Sequence, residues 1–103
     1  MDKKNKYEGL FIINADLAED DRDKIIEDIE KCIKSAKGKV VDVERIGKKK
    51  LAYKIKKRSE GVYVNIKFEI SSEGIAVINK KLKLKEDIFR IFILKKKSYF
   101  YHS

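Results

Sequence analysis

The chain lacks proline and tryptophan, and it has one cysteine and one histidine among its 103 residues. The single Cys32 cannot form an internal disulfide and falls among the apolar positions of a helical pattern, so we expect a reducing, cytoplasmic setting. His102 has no cysteine, histidine or carboxylate cluster beside it in the sequence, which argues against a metal site and against a catalytic base. We therefore expect no cofactor.

Long apolar runs are also missing. No segment is long enough to cross a bilayer, and the N-terminal MDKKNKY lacks the apolar core of a signal peptide, so we expect no membrane partner. A chain of this length forms one domain with a single core and is too small for a cleft between two lobes, which disfavours an enzyme. We predict one domain over residues 1–97 and a flexible tail over residues 98–103.

Positive charge is in excess, and the excess lies in the second part of the chain. The 26 Lys and Arg against 17 Asp and Glu give a net charge of +9. Residues 1–46 hold 10 basic and 12 acidic side chains, whereas residues 47–103 hold 16 and 5. A polyanion partner favours such asymmetry because each neutralised phosphate releases counterions. The alternative is that the lysines only solvate the surface.

The segment from Gly47 to Tyr63, GKKKLAYKIKKRSEGVY, predicts a basic β-hairpin. Apolar and polar residues alternate before and after a polar stretch, as in two paired strands with one buried face. We place the turn at Arg58–Gly61. Six basic residues at the two ends of the hairpin suit a phosphate backbone: Lys48, Lys49, Lys50, Lys56, Lys57 and Arg58.

The rest of the chain predicts two amphipathic helices and two further strands. The order of elements is then β-α-β-β-α-β, with these bounds: a strand over 7–14, a helix over 17–37 capped by Gly38, a strand over 40–55 bent at Gly47, a strand over 62–70, a helix capped by Ser71 or Ser72, and a strand over 88–94.

This order predicts an α+β, ferredoxin-like fold with two helices on one face of a four-stranded antiparallel sheet. The predicted strand order is 4-1-3-2. Alternation in the third strand assigns Val62, Val64, Ile66 and Phe68 to the helix side. In the first strand, either Gly9, Phe11 and Ile13 or Leu10 and Ile12 face outward. An open sheet face with apolar content indicates a protein partner.

Several segments resemble the family of bacterial small-ribosomal-subunit protein S6, and the resemblance covers about residues 6–97. The segments are Tyr7-Glu8, the GKKKLAYKI run from Gly47, Gly61-Val62-Tyr63, and LKLKEDIFRIFILK from Leu82 to Lys95. The resemblance implies a ferredoxin-like domain without enzymatic activity. It also implies binding to the central domain of small-subunit ribosomal RNA together with ribosomal protein S18.

The chain departs from the family pattern at two prolines. The family usually has proline shortly after the first strand and directly after the LAY triplet, where Ala15 and Lys54 stand here. Lys54 supplies a strand hydrogen-bond donor that proline lacks. Lysines replace the arginines common in the family's hairpin, which keeps charge but loses bidentate phosphate geometry.

We predict an RNA-binding set drawn from the hairpin, the N-terminal lysines, the exit of the second helix and the end of the fourth strand. Tyr53 and Tyr63 either cover the core or stack on unpaired bases. Helix-dipole complementation alone would explain Lys83 and Lys85. The tail aromatics either stay disordered or order on a partner. The predicted set is Lys4, Lys6, Tyr7, Lys48, Lys49, Lys50, Tyr53, Lys56, Lys57, Arg58, Tyr63, Lys83, Lys85, Arg90, Lys95, Lys96 and Lys97.

Other functions of the same fold fit the sequence less well. An acylphosphatase-like enzyme needs an anion-cradling loop after the first strand, but that loop reads NADLAEDD, and its acids would repel a phosphate. A metal chaperone would need a Cys-x-x-Cys pair. A small-molecule regulatory domain stays open but does not explain the basic second part.

Overall fold

The computed structural model describes residues 4–96, which form four strands and two helices in the predicted order. Their bounds are β1 Lys4–Asn14, α1 Glu19–Ser35, β2 Lys39–Ile55, β3 Arg58–Ser71, α2 Ser72–Leu82 and β4 Ile88–Lys96. The predicted tail and Lys97 lie outside the described residues.

All four strands form one antiparallel sheet in the order β2-β3-β1-β4, which is the predicted order. The central pair has an unbroken register from Lys4 opposite Ser71 to Asn14 opposite Gly61. Both helices pack on one face of this sheet. The ferredoxin-like fold predicted from the element order is confirmed.

One core fills the space between the helices and the sheet. Ile29 and Ile33 of α1, Ile78 of α2 and Phe68 of β3 are fully buried in it. The side chains of β3 alternate as predicted, so its even-numbered residues from 62 to 70 face the helices. Such burial is the main source of stability in a domain of this size.

The first strand turns its odd-numbered residues toward the helices. Phe11 and Ile13 are fully buried, while Ile12 joins a separate cluster on the opposite sheet face. Tyr7 also faces the core, where it is 7% exposed and its ring stacks on Phe68 at 5.8 Å. This packing leaves little of the Tyr7 side chain for the predicted RNA contact.

The end of α1 is a Schellman motif. Lys37 has a φ of 66°, and its amide donates to the carbonyl of Lys34. The amide of Gly38 donates to the carbonyl of Ile33 at 2.8 Å. The left-handed position is thus Lys37 and not the predicted Gly38. A Cβ on Gly38 would lie 2.9 Å from the Ile33 carbonyl oxygen, so this glycine is needed for close packing.

The turn between β2 and β3 lies at Lys56 and Lys57, ahead of the predicted Arg58–Gly61 turn. Ile55 pairs with Arg58, so the loop has two residues. Both have positive φ, 48° and 66°. A two-residue hairpin of this kind matches strand twist, and it usually contains Asn or Gly, which is why two lysines did not indicate it.

Candidate nucleic-acid interface

The far part of the β2–β3 hairpin folds across the sheet. The register shifts between Lys50, which pairs with Glu60, and Ile55, so that residues 51–54 lie opposite Ser59 alone. Such a bulge bends and twists the strands that carry it. As a result, Ile55 is buried against Ile12 of β1 and Phe89 of β4, forming a small second core on the open sheet face.

Gly61 makes this fold-over sterically feasible. A Cβ at this position would lie 2.5 Å from Cγ2 of Ile12 and 3.3 Å from Cδ2 of Leu51. Since real Cβ contacts are not that short, any larger residue would push the hairpin away from β1. Gly47, in contrast, permits a φ of 110° at the register shift after Arg45, where the sequence predicted a bend.

Most basic side chains of the hairpin make no polar contact within residues 4–96. Five lysines have neither an ion pair nor a hydrogen bond from the side chain there: Lys48, Lys49, Lys50, Lys54 and Lys57. Arg58, in contrast, pairs with Asp16, and Lys56 donates to the carbonyl of Glu86. The side chains available to phosphates are therefore mainly the five lysines.

Charge is strongly polarised between the hairpin and the first helix. Residues 47–61 carry seven basic residues and one acid, whereas Glu19–Ser35 carries seven acids and four basic residues. Arg45, just ahead of residues 47–61, and Arg58, next to the turn, form ion pairs with Asp23 and Asp16 near the acidic end of α1. A polyanion would approach the hairpin and avoid α1.

One half of the open sheet face is a neutral lattice of charges. Lys6 lies opposite Glu69, Lys67 lies opposite both Glu8 and Asp42, and Lys39 lies opposite Glu69. With Glu44 and Lys96 these positions hold four lysines and four acids, although Lys6 also lies opposite Lys96 and Lys4 adds one lysine at the end of the zone. Opposite charges paired across strands stabilise a sheet but leave no net field for a phosphate.

Glu8 is the centre of that lattice. Its carboxylate accepts a hydrogen bond of 2.6 Å from the side-chain amide of Asn65 and lies 3.5 Å from the Lys96 ammonium. The Asn65 hydrogen bond, aided by Lys96 and Lys67 against the effect of burial, lowers the pKa of Glu8.

The other half of the open face is apolar and exposed. Phe92 and Leu94 of β4 are 52% and 63% exposed, and Tyr53 of the folded hairpin is 65% exposed. Between the hairpin and β4 lies a pocket of about 280 Å³, whose lining includes Leu10 and Arg90. We call the exposed residues Tyr53, Phe92 and Leu94, with this pocket, the apolar patch.

The two tyrosines of the hairpin differ in their setting. Both line the pocket, but Tyr63 is partly buried against the second core, whereas Tyr53 is mostly exposed. Of the two alternatives given by the sequence, packing suits Tyr63 and an outward contact suits Tyr53.

Five of the remaining predicted residues lie away from the hairpin. Lys4, Lys6, Lys95 and Lys96 lie together at the opposite end of the sheet. Lys85 lies on the helix layer, where its ammonium is 3.1 Å from Asp28 of α1. The structure therefore does not assemble the predicted set into one surface.

Lys83 and Arg90 lie close to the folded hairpin. Both line a second cavity beside the start of β4, together with Phe89, over which the ammonium of Lys56 lies. The guanidinium of Arg90 donates to the Phe89 carbonyl at 2.9 Å. Arg90 also lines the pocket of the apolar patch, so it borders both candidate contact surfaces.

Sequence reasoning missed Lys54, Phe92 and Leu94. Lys54 stands where the family has proline, so the resemblance gave no reason to include it. The signal for Phe92 and Leu94 was the alternation in IFRIFILKK, since Ile91 and Ile93 pack toward the helix-side core and their neighbours must then face the other way.

The loop after β1 has no phosphate cradle. The Asn14 amide donates to the carboxylate of Asp87 at 3.1 Å, and its carbonyl accepts from the backbone amide of Asp16. The polar groups of this loop are thus used in holding it against β4. Within residues 4–96 there is no group of three His, Cys, Asp or Glu suited to a metal ion, and neither helix is long and apolar enough to span a membrane.

The fold and the charge distribution define a small basic α+β domain of the ferredoxin-like class, with a lysine-rich hairpin and an apolar patch. Residues 6–95 match the family of ribosomal protein S6, and the chain belongs to that family. The family consists of structural proteins of the small ribosomal subunit.

Individual relatives agree with this assignment. The small ribosomal subunit protein bS6 of Prochlorococcus marinus subsp. pastoris is 35% identical over 89 residues, covering 86% of this chain and 58% of the relative. The bS6 protein of Fusobacterium nucleatum is 32% identical over 87% of this chain and 96% of its own. This chain thus spans little more than half of the Prochlorococcus protein.

A solved structure also matches. The 30S ribosomal protein S6 from Thermotoga maritima superposes with a TM-score of 0.86 at 33% identity, covering 91% of this chain and 89% of that chain. The strand order and the two-helix layer are therefore those of a known S6 structure.

Proposed function

We propose that this protein binds the central domain of small-subunit ribosomal RNA in cytoplasmic ribosomes, and that it does so together with ribosomal protein S18. The hairpin supplies the RNA contact, and the apolar patch supplies the protein contact. The observation that carries the proposal is that one small domain presents two chemically different surfaces side by side, one rich in lysine and one apolar.

The RNA contact rests on charge. Residues 47–61 account for a net +6 of the chain's +9, and five of their lysines make no polar side-chain contact within residues 4–96. Lysine binds phosphate as a point charge rather than through a bidentate fork, so the hairpin supplies affinity and little sequence discrimination. A second contact is then needed to fix the position and orientation of the protein at one RNA site.

The contact with S18 supplies this fixed position and orientation. Phe92 and Leu94 alternate along an edge strand, and Tyr53 borders the adjoining pocket. Large exposed apolar and aromatic side chains around a pocket are typical of the centre of a protein interface. The neutral lattice beside them fits the polar rim of such an interface better than it fits an RNA backbone.

A binding titration tests the proposal. A central-domain RNA fragment is titrated with this protein alone, with S18 alone and with both. We expect weak binding of this protein alone and a gain of at least about tenfold in each protein's affinity when the other is present, since coupling is reciprocal. An RNA fragment from another domain serves as the control. Equal affinity for the two fragments would contradict the RNA assignment, and strictly independent binding would remove S18.

A further inference from the structure

Lys56, at the tip of the hairpin, is attached to the opposite edge of the sheet. Its ammonium donates to the backbone carbonyl of Glu86 at 3.1 Å and lies 5.6 Å from the centre of the Phe89 ring. Glu86 lies just ahead of β4, and Phe89 is the second residue of that strand. A cation above an aromatic face is attracted by the ring quadrupole.

The surroundings of Lys56 support the same attachment. Ile55 is 6% exposed and packs on Phe89 from the same side. The backbone at Lys56 and Lys57 has positive φ, which non-glycine residues adopt only when surrounding contacts hold them there. The neighbouring Lys57 side chain makes no polar contact within the described residues. Adjacent lysines therefore have different environments.

We infer that Lys56 is a positioning residue rather than a phosphate ligand. Its ammonium holds the hairpin tip against the start of β4, so that Lys54 and Lys57 are presented to RNA from a fixed backbone. A hairpin arm (residues 47–61) that is already ordered loses less conformational freedom on binding than a mobile one. This inference deepens the proposed RNA contact and rests on it, and it replaces the prediction that Lys56 itself binds RNA.

The first experiment uses the free protein and does not depend on RNA. Amide hydrogen exchange is compared in the wild type, Lys56→Met, Lys56→Arg and Lys57→Asn. Methionine keeps an unbranched side chain, shorter by the terminal nitrogen, and removes the donor and the charge, whereas arginine keeps both, and asparagine tolerates positive φ. We expect at least about fivefold faster exchange in residues 51–61 for Lys56→Met alone. Unchanged exchange would show that no such attachment exists.

The second experiment measures binding to the central-domain RNA fragment in the presence of S18 over a range of salt concentrations. We expect Lys56→Met to lower affinity about three- to tenfold with an unchanged salt slope, and Lys56→Arg to restore it. Lys57→Asn should reduce the slope by about 0.7 to 0.9, the amount expected for one phosphate ligand. An equal slope reduction in Lys56→Met would make Lys56 a phosphate ligand and overturn the inference.

The two experiments separate the attachment from the function. If the wild-type protein shows no preference for the central-domain fragment, the proposed function fails, while the exchange data still decide whether Lys56 holds the hairpin. Faster exchange without any change in affinity would contradict the positioning role, because the arm would then need no preordering.

Discussion

Individual residues in this domain are distinguished by which side of the sheet they face. Phe68 and Phe92 have the same side chain on strands of the same sheet, yet Phe68 is fully buried under the helices and Phe92 is half exposed on the open face. The alternation of strand side chains is the cause, since adjacent residues point to opposite faces. Phenylalanine therefore stabilises the core at Phe68 and forms part of the apolar patch at Phe92.

The two phenylalanines give a direct test of this assignment. Phe68→Ala should lower the free energy of unfolding by about 3 to 5 kcal/mol, because it removes a ring from a packed core and leaves a cavity. Phe92→Ala is the matched control and should lower it by less than about 1 kcal/mol. Urea unfolding of both variants measures the difference. Similar losses for the two would contradict the observed burial.

The contribution of Glu8, on the open sheet face, to the stability of the fold depends on pH. Because its folded pKa is lowered, the stability that it contributes is present above the ordinary pKa of a glutamate and is lost as the pH falls through the lowered folded value. We expect the stability difference between wild type and Glu8→Gln to shrink as the pH falls from about 6 to about 3. Thermal unfolding across this range measures that difference.

Asn65→Ala is the control for the Glu8 prediction. Removing the amide donor should raise the Glu8 pKa toward its ordinary value, which a carboxyl titration followed by NMR would show. An unchanged Glu8 pKa in this variant would mean that Asn65 is not the main cause of the shift.

At the scale of elements, the β2–β3 hairpin and helix α1 carry opposite net charge. The hairpin concentrates lysines on an arm that crosses the sheet, while α1 presents acids along its exposed side. Arg58–Asp16 and Arg45–Asp23 join the two elements at the surface. Exposed pairs of this kind add little stability but engage the arginines, so that in the proposed RNA contact the lysines are the side chains left to meet phosphates.

Two triple variants with equal loss of charge test this division. Lys48→Ala, Lys49→Ala and Lys57→Asn together should reduce the salt slope of RNA binding by about 0.7 to 0.9 for each phosphate that is no longer neutralised. The control, Lys24→Ala with Lys31→Ala and Lys34→Ala on α1, should leave the slope nearly unchanged. Equal effects would mean that only net charge matters and that the hairpin does not touch the RNA.

The whole molecule brings the lysine-rich arm of the β2–β3 hairpin and the apolar patch onto one sheet. The arm begins at the edge strand β2 and ends against β4, whose outward residues Phe92 and Leu94 continue the patch. A partner seated on the patch would therefore lie next to the arm. This proximity gives a physical reason for expecting coupled binding of RNA and S18.

The coupling should depend on the patch and not on the hairpin charge. Phe92→Ala with Leu94→Ala should lower the gain from S18 by at least about tenfold, as for residues central to an interface, with an unchanged salt slope. Val77→Ala, which truncates an exposed residue on α2, is the control. Titration of the central-domain fragment with and without S18 measures both variants. If S18 raised the RNA affinity of the double variant as much as that of the wild type, S18 would bind a surface other than the apolar patch.

The sequence by itself determined the element order, the strand order, the helix-facing side of β3 and the basic character of the hairpin. These follow from local periodicity and from charge, which act within a few residues along the chain. It could not place the turn at Lys56–Lys57, because positive φ at lysine is imposed by pairing and packing rather than by propensity.

Tertiary structure alone decided which basic residues lie together. The bulge over residues 51–54 and the close approach at Gly61 bring the hairpin tip to Glu86 and Phe89, about thirty positions further along the chain. On the helix side of the sheet, tertiary packing buried Tyr7 against Phe68 and gave Lys85 a partner on α1. Contacts between residues far apart in sequence depend on the three-dimensional path of the backbone, so composition and periodicity could not reveal them.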